Sequence, residues 1–199
     1  MRRQAEKTEY TLIRSDRRTI GLEVTPEGEL IVRAPRFASR AQIEGLLAER
    51  ADWIARAKAR AAAREQAADE AGPLTAGDLK ALAAQAKEYL PGRVEHFAAA
   101  LGVDYGRITI RAQRSRWGSC SPQGNLNFNC LLMLTPPEVI DSVVAHELCH
   151  RRHMDHSRAF YADLRRVYPD YDRCRAWLKQ EGPVLLARVK GSREAGEGI

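Results

Sequence analysis

The sequence predicts an α+β fold with an N-terminal β-hairpin, long helices, and a mixed or antiparallel sheet packed on a helix that contains histidines. Short segments alternate apolar and polar residues near the N-terminus and again after residue 107. Longer segments between and after them have apolar residues three and four positions apart, as helices do. Because 44% of the 199 residues are hydrophobic, the chain can bury one substantial core.

Strand-like segments open the chain. Residues 10–13 and 19–24 alternate in polarity, and residues 30–34 return as a further strand. The Pro-Glu-Gly sequence at 26–28 is typical of a turn, so the last two segments form the predicted hairpin.

Two long helices follow the hairpin. Ser39 and Gln42 have the spacing of a capping box at the start of the first helix, which weakens in an alanine-rich run and ends at Gly72. The second helix is predicted over residues 78–101, with Gly102 as its C-terminal stop.

Further strands are predicted after the second long helix. Residues 108–110 begin a strand, residues 117–120 are expected to bend, and residues 125–132 alternate again. The apolar face of this last segment consists of Leu126, Phe128, Cys130 and Leu132, and its polar face of Asn125, Asn127 and Asn129.

A core helix is predicted from Glu138 to about Arg152. Thr135 can cap it, Pro136 suits the first helical position, and Glu138 completes a capping box. Five apolar residues share one face of this helix: Val139, Ile140, Val143, Val144 and Leu148.

The most informative motif lies at the C-terminal end of this helix. His146 and His150 are four positions apart, about 40° around a helix axis, so both imidazoles project from one face. Glu147 follows the first histidine, which gives the H-E-x-x-H pattern of zincins. With five histidines and 26 acidic residues in the chain, fewer than about 0.02 accidental matches are expected.

A third ligand is needed for a catalytic zinc site. His156 lies six residues after His150, the offset that metzincins use, although His153 stands where they have glycine. Gluzincins instead take an acid from a later helix. The acids that could do so are Asp163, Asp170, Asp172 and Glu181. We favour His156 and expect His153 to lie outside the ligand set.

Further motifs accompany the histidines. They are RRTI at 17–20, LIVRAP at 30–35, RSRWGSCS at 114–121, GNLNFN at 124–129, HELCH at 146–150, HSRAFY at 156–161 and PDY at 169–171. Together they span most of residues 9–180, and the chain resembles the YgjP-like metal-dependent hydrolases. The resemblance implies a zincin-like hydrolase with metal ligands at His146, His150 and His156 and with Glu147 as catalytic acid/base. Residues 64–78 depart from it, because longer members have additional strand-like sequence there.

The ligand set predicts the chemistry. Zn²⁺ held by three neutral imidazoles keeps an open position and lowers the pKa of a bound water to about 7, and Glu147 would take up its proton. Another divalent transition metal can occupy such a site. We expect the strand at 125–132 to be an edge strand that pairs with an extended peptide. The candidate substrate-binding residues are Arg116, Asn127, Asn129 and Tyr161. The candidate oxyanion donors are Arg116, Tyr161, Tyr168 and Tyr171.

Three functions stay open on the sequence alone: a zinc metallopeptidase, a nucleoside triphosphate (phosphoanhydride) hydrolase, and a DNA-associated protease or binding module similar to SprT and WLM proteins. The net charge of +6 and pI of about 9.3 keep nucleotide and nucleic acid among the expected partners, beside a peptide or protein substrate. No segment has the roughly 20 apolar residues of a membrane span, and no signal peptide or C-x-x-C pair is seen. A cytoplasmic location is therefore expected.

The predicted regions follow the motifs. Residues 1–77 form an N-terminal region of hairpin, long helix and linker, and residues 78–182 form the zincin-like catalytic region. Residues 183–199 are predicted to be a flexible tail, polar and glycine-containing from Lys190 onward. We expect all three to belong to one compact unit.

Overall fold

The computed structural model describes residues 9–189, which contain seven α-helices and two three-stranded sheets. This confirms the α+β prediction. Contacts within the chain divide it into two units, one ending at Glu70 and the other beginning at Ala71. The boundary expected from the sequence lies seven residues later, between residues 77 and 78.

The first unit consists of three strands followed by two helices: β1 (Thr11–Ser15), β2 (Gly21–Val24), β3 (Leu30–Pro35), α1 (Arg40–Glu49) and α2 (Ala51–Glu70). The order in the sheet is β1-β3-β2, with β1 parallel and β2 antiparallel to β3. The predicted hairpin is therefore β2–β3, and its turn contains Gly28 at a φ of 83°.

The core of this unit lies between β3 and the two helices. Leu30, Val32 and Ala34 are buried because they alternate along the central strand, and they pack with apolar residues of α1 and α2. Ser39 and Gln42 form the predicted capping box. The single long helix expected here is interrupted at Arg50, and the alanine-rich run stays helical because alanine has the highest helix propensity.

The second unit consists of α3 (Ala76–Leu101), β4 (Ile108–Arg111), β5 (Gly118–Cys120), β6 (Leu126–Asn129), a 3₁₀ turn (Cys130–Leu134), α4 (Pro137–Cys149), α5 (Arg158–Val167), α6 (Tyr171–Gln180) and α7 (Gly182–Ala187). Gly102 ends α3 in the left-handed conformation, as predicted. The flexible tail predicted from the sequence begins at residue 183, but the structure continues α7 to residue 187 and buries Val189. The remainder of that tail, 190–199, lies outside the described residues.

The sheet of the second unit has the order β4-β6-β5, with β4 parallel and β5 antiparallel to β6. The expectation that β6 is an edge strand is therefore wrong, because a strand pairs with it on each side. The segment expected to bend at 117–120 is instead the edge strand β5. Sequence patterning missed it because a three-residue strand is too short to establish a period.

Helix α4 packs on α3, β5, α5 and α6. Its five predicted apolar residues are all buried, at 6% exposure or less. The predicted capping box is wrong: Pro136 is the N-cap and makes no side-chain capping bond, and the Thr135 hydroxyl donates to the carbonyl of Leu132. Within residues 9–189, none of the helices combines the length and apolar character needed to cross a bilayer.

Candidate metal centre

Helix α4 places the first two histidines side by side. His146 lies in its last turn and His150 is its C-cap, and their ring centroids are 5.1 Å apart. The four-residue spacing therefore brings both imidazoles to one face, as helix geometry requires.

The third histidine arrives from the start of α5. Ser157 caps that helix by accepting from the Phe160 amide and is itself held by Asp155, so the position just before the helix is defined. His156 Nε2 lies 3.2 Å from His146 Nε2. One ring nitrogen from each of His146, His150 and His156 lies within 4.8 Å of the others, and these three residues are the potential metal-binding group within residues 9–189.

Phe160 forms the apolar floor of this cluster. Its ring is fully buried, and its centroid is 4.9 Å from those of His146 and His156 and 4.8 Å from that of His150. Burial is the main reason that the pKa of His146 falls to about 3, and the charges of the other two histidines lower it further. Burial also lowers the pKa of His150. Neutral imidazole is the form that binds a metal ion.

Hydrogen bonds at the outer nitrogens orient two of the rings. His146 Nδ1 lies 3.1 Å from the Tyr171 hydroxyl, and His150 Nδ1 lies 3.1 Å from the backbone carbonyl of His153. Such partners fix the tautomer in which Nε2 carries the free lone pair. A tetrahedral zinc ion with bonds of about 2.0–2.1 Å separates its ligand nitrogens by about 3.3 Å, close to the His146–His156 distance. The donor set thus fits a zinc ion.

The other residues considered for this cluster have different partners. The His153 side chain contacts Asp163 at 2.9 Å, and its backbone carbonyl supports His150. Asp170 pairs with Arg173, and Asp172 pairs with Arg165. None of the acids proposed as alternatives to His156 belongs to the potential metal-binding group found in residues 9–189.

Glu147 lies beside the histidines and beneath strand β5. Its side chain is buried, with 6% exposure, and an added Cβ at Gly118 would lie only 2.7 Å from its Cγ and Oε1. Burial raises the pKa of Glu147 to about 8, and the positive charge of Arg116 opposes this effect. A pKa near neutral pH suits a group that takes up and returns a proton.

The four residues predicted to bind substrate lie in different environments. Arg116 is exposed two residues before the start of β5, and Tyr161 is partly buried, with its ring 6.2 Å from that of His156. Asn127 lies on the central strand and donates to the Ser119 hydroxyl at 3.4 Å. Asn129 is fully buried and its side chain bonds only to backbone groups, although the alternating pattern assigned it to the polar face of its strand.

Two of the candidate oxyanion donors already have partners. The Tyr168 hydroxyl donates to the carbonyl of Glu138 at 2.7 Å, and the Tyr171 hydroxyl lies against His146. Sequence reasoning missed the contributions of Gly118 and Phe160, because both depend on contacts between distant elements. It also missed Arg175, whose charge acts on His146 and Tyr171.

Two solved structures and one family model are similar to parts of this chain. The zymogen of the metallopeptidase abylysin from Pyrococcus abyssi is 20% identical over 46% of this chain and 94% of that chain, with a TM-score of 0.41. The zymogen of jannalysin from Methanocaldococcus jannaschii is 19% identical over the same shares, also with a TM-score of 0.41. No curated protein matches the chain. Residues 79–181, just over half of the chain, match the family described as "YgjP-like, metallopeptidase domain". The chain therefore belongs to the YgjP-like metallopeptidase domain family.

Proposed function

We propose that this metallopeptidase-family protein is a zinc-dependent peptidase in which His146, His150 and His156 hold the metal and Glu147 is the general acid/base. The observation that carries the proposal is the convergence of three imidazole nitrogens within 4.8 Å beside a buried glutamate. A structural zinc site would need a fourth protein ligand, whereas three ligands leave a position for water or substrate.

The chain's own groups prepare this chemistry. When bound, the metal ion acidifies water and polarises a carbonyl oxygen. The apolar floor at Phe160 keeps His146 and His150 neutral and able to bind it, and Tyr171 holds the ring of His146. Glu147 takes up a proton from water and returns it to the leaving amine.

Strand β5 is the better candidate for substrate binding than β6. It lies at the edge of the sheet and packs against α4, so its outer backbone groups are available to an extended peptide beside the histidines. Arg116 precedes this strand and Tyr161 lies near His156, so both stay candidate substrate contacts. Asn127 stays a weaker candidate, and Asn129 is left out because its amide group is occupied.

Family membership favours a peptide substrate over a nucleoside triphosphate or DNA. Phosphate release from ATP or UTP in proportion to bound metal would support the phosphoanhydride reaction instead. Salt-sensitive DNA binding that survives Glu147→Gln would support the binding module. We also propose a cytoplasmic location, because all four cysteines are free, as expected in a reducing compartment.

The test compares three proteins loaded with zinc: wild type, Glu147→Gln, and Glu95→Gln as a control at an exposed position on α3. Each is incubated with a mixed peptide library, the products are identified by mass spectrometry, and bound zinc is measured. We expect one zinc per chain in all three proteins and cleavage by wild type and the control. Cleavage by Glu147→Gln should fall about 10²–10⁴-fold. Equal cleavage by this variant, or a wild type that retains no metal, would overturn the proposal.

A further inference from the structure

We propose that Gly118 is a positioning residue that determines where the Glu147 carboxylate lies; its catalytic consequence rests on the proposed function of Glu147. A Cβ at position 118 would lie 2.7 Å from Glu147 Cγ, 2.7 Å from Oε1 and 2.9 Å from Cδ. Carbon atoms do not pack at such distances, since their optimal separation is about 3.5–4.0 Å. A larger residue at position 118 must therefore displace either the strand or the glutamate.

Backbone conformation does not explain the glycine. The described glycines with positive φ are Gly28, Gly72, Gly102 and Gly124, and Gly118 is not among them. Any residue could adopt its extended conformation in β5. The absent side chain is needed for space, because it lets the strand backbone contact the carboxylate directly.

The strand cannot easily move away. Gly118 is paired with Phe128 on β6, and Phe128 is fully buried. The Trp117 carbonyl accepts from the amide of Asn129 at 2.9 Å, which fixes the strand at the preceding residue as well. Displacing β5 would therefore disturb the centre of the sheet.

The helix is equally constrained. Leu148 and Cys149, which follow Glu147 on α4, are both fully buried. The Glu147 side chain is thus the part that must yield when a Cβ is added, and its own burial limits the conformations open to it. In the native chain the backbone of β5 covers one side of the carboxylate and restricts it to positions that the glycine allows.

A double-mutant cycle tests the contact without any assay of catalysis. Gly118→Ala, Glu147→Ala and the double variant are unfolded chemically in the presence of a chelator, together with wild type. We expect Gly118→Ala to lower the unfolding midpoint when Glu147 is present and to leave it equal or raise it in the Glu147→Ala background, where the contacted atoms are gone. Gly92→Ala is the matched control, because its added Cβ meets nothing within 4 Å on helix α3. Its midpoint should stay equal or rise.

The catalytic prediction uses the zinc-loaded protein. Gly118→Ala should lower kcat by about 10²-fold, with KM within a few-fold of wild type and zinc content unchanged, because misplacing a reacting group by about 1 Å has that effect. A merely structural substitution would lower the amount of folded, zinc-loaded enzyme and leave kcat per zinc intact. Gly92→Ala should retain wild-type kinetics.

Each outcome decides the question. Equal destabilisation by Gly118→Ala in both backgrounds would overturn the proposal, because the added atom would then clash with something other than Glu147. If Gly118→Ala does not fold, the double variant should still fold, because it lacks the contacted Glu147 atoms. A double variant that also fails to fold would overturn the proposal. A positive stability cycle in a protein that cleaves no peptide would leave the contact established and would count only against the peptidase function.

Discussion

The two edges of the second sheet differ in what they face. Strand β5 lies over the buried carboxylate of Glu147 and packs on the histidine helix. Strand β4, on the opposite edge, lines a surface groove of about 420 Å³ together with Lys87 and Pro91 of α3. Two arginines also line this groove: Arg111 on β4 and Arg107 just before it. The exposed cations of β4 are solvated, whereas the charge beneath β5 is desolvated and has a shifted pKa. The candidate chemistry therefore lies where an edge strand meets a buried ionisable group, and surface charge is a poor guide to its position.

Loss of a direct metal ligand should have the largest effect on zinc affinity, and a substitution on β4 should have none. Partners that merely orient a ligand contribute about 10–100-fold in metal affinity, so His156→Ala should weaken zinc binding by more than about 100-fold. Competition with a chromophoric chelator measures this affinity. Arg111→Gln on β4 is the control and should bind zinc as wild type does. Full affinity in His156→Ala would show that another residue completes the ligand set.

The next largest effect should be on the free energy of unfolding and should come from Asn129, which links the two edges of the sheet. The Asn129 side chain, at the end of the central strand, donates to the carbonyls of Gln113 and Arg116 and accepts from the amide of Leu131. It thereby fixes the segment that joins β4 to β5. Asn129→Ala leaves one buried amide and two partly buried carbonyls without these partners and should lower the free energy of unfolding by about 2–4 kcal/mol.

Chemical unfolding of Asn129→Ala checks this value, and Asn127→Ala on the same strand is its control. The Asn127 amide makes a single bond of 3.4 Å to a partly buried hydroxyl, so its loss should be much smaller. Equal losses in the two variants would contradict the role given to Asn129.

Local patterns predicted how the helix of the metal centre presents two ligands, because residues four positions apart on a helix, such as His146 and His150, lie on one face. The capping residues Ser39 and Ser157 and the stop at Gly102 were also predictable, since each acts within a few residues. The position of His156 required one additional inference about a turn, and the sequence kept four acids as alternatives to it.

The order of the strands was not predictable, because it depends on pairing between residues far apart in the chain. The alternating segment that contains β6 looked like an exposed edge, whereas β4 and β5 cover both of its sides. Asn129 shows the consequence of this limit: alternation assigned it to a polar face and made it a candidate substrate contact, but its side chain bonds to the backbone of the loop that precedes β5. The need for glycine at position 118 likewise arises only when β5 is placed on α4.

Tyr171→Phe should have a moderate effect on zinc affinity. The substitution removes the hydroxyl that lies 3.1 Å from His146 Nδ1 and keeps the ring, so zinc affinity should fall about 10-fold. The same chelator competition measures it. Tyr168→Phe is the matched control, because its hydroxyl bonds to the carbonyl of Glu138 and makes no contact with a histidine of the cluster. Equal zinc affinities in the two variants would contradict an orienting role for Tyr171.

The smallest expected effect concerns the turn that leads to His156 and depends on pH. The hydrogen bond from His153 and the charges of Arg152 and Arg166 lower the pKa of Asp163 below its ordinary value of 3.8. The folded state then binds fewer protons than the unfolded state, so this carboxylate stabilises the fold above about pH 3.8 and the benefit is lost as pH falls through the folded pKa. Asp163→Asn should therefore be less stable than wild type at pH 7, and the difference should vanish below the folded pKa.

Unfolding midpoints measured from pH 7 down to pH 3 check this dependence. Asp172→Asn provides a control, because its carboxylate also pairs with an arginine but both side chains are about half exposed, at 58% and 49%. Solvent screens such a pair, so its loss should have the same sign and a smaller size. A stability difference for Asp163→Asn that stays constant across this range would mean that the side chain acts through packing alone. In that case packing would hold the turn that leads to His156, and the contrast between the two edges of the sheet would rest on Glu147 and the three histidines.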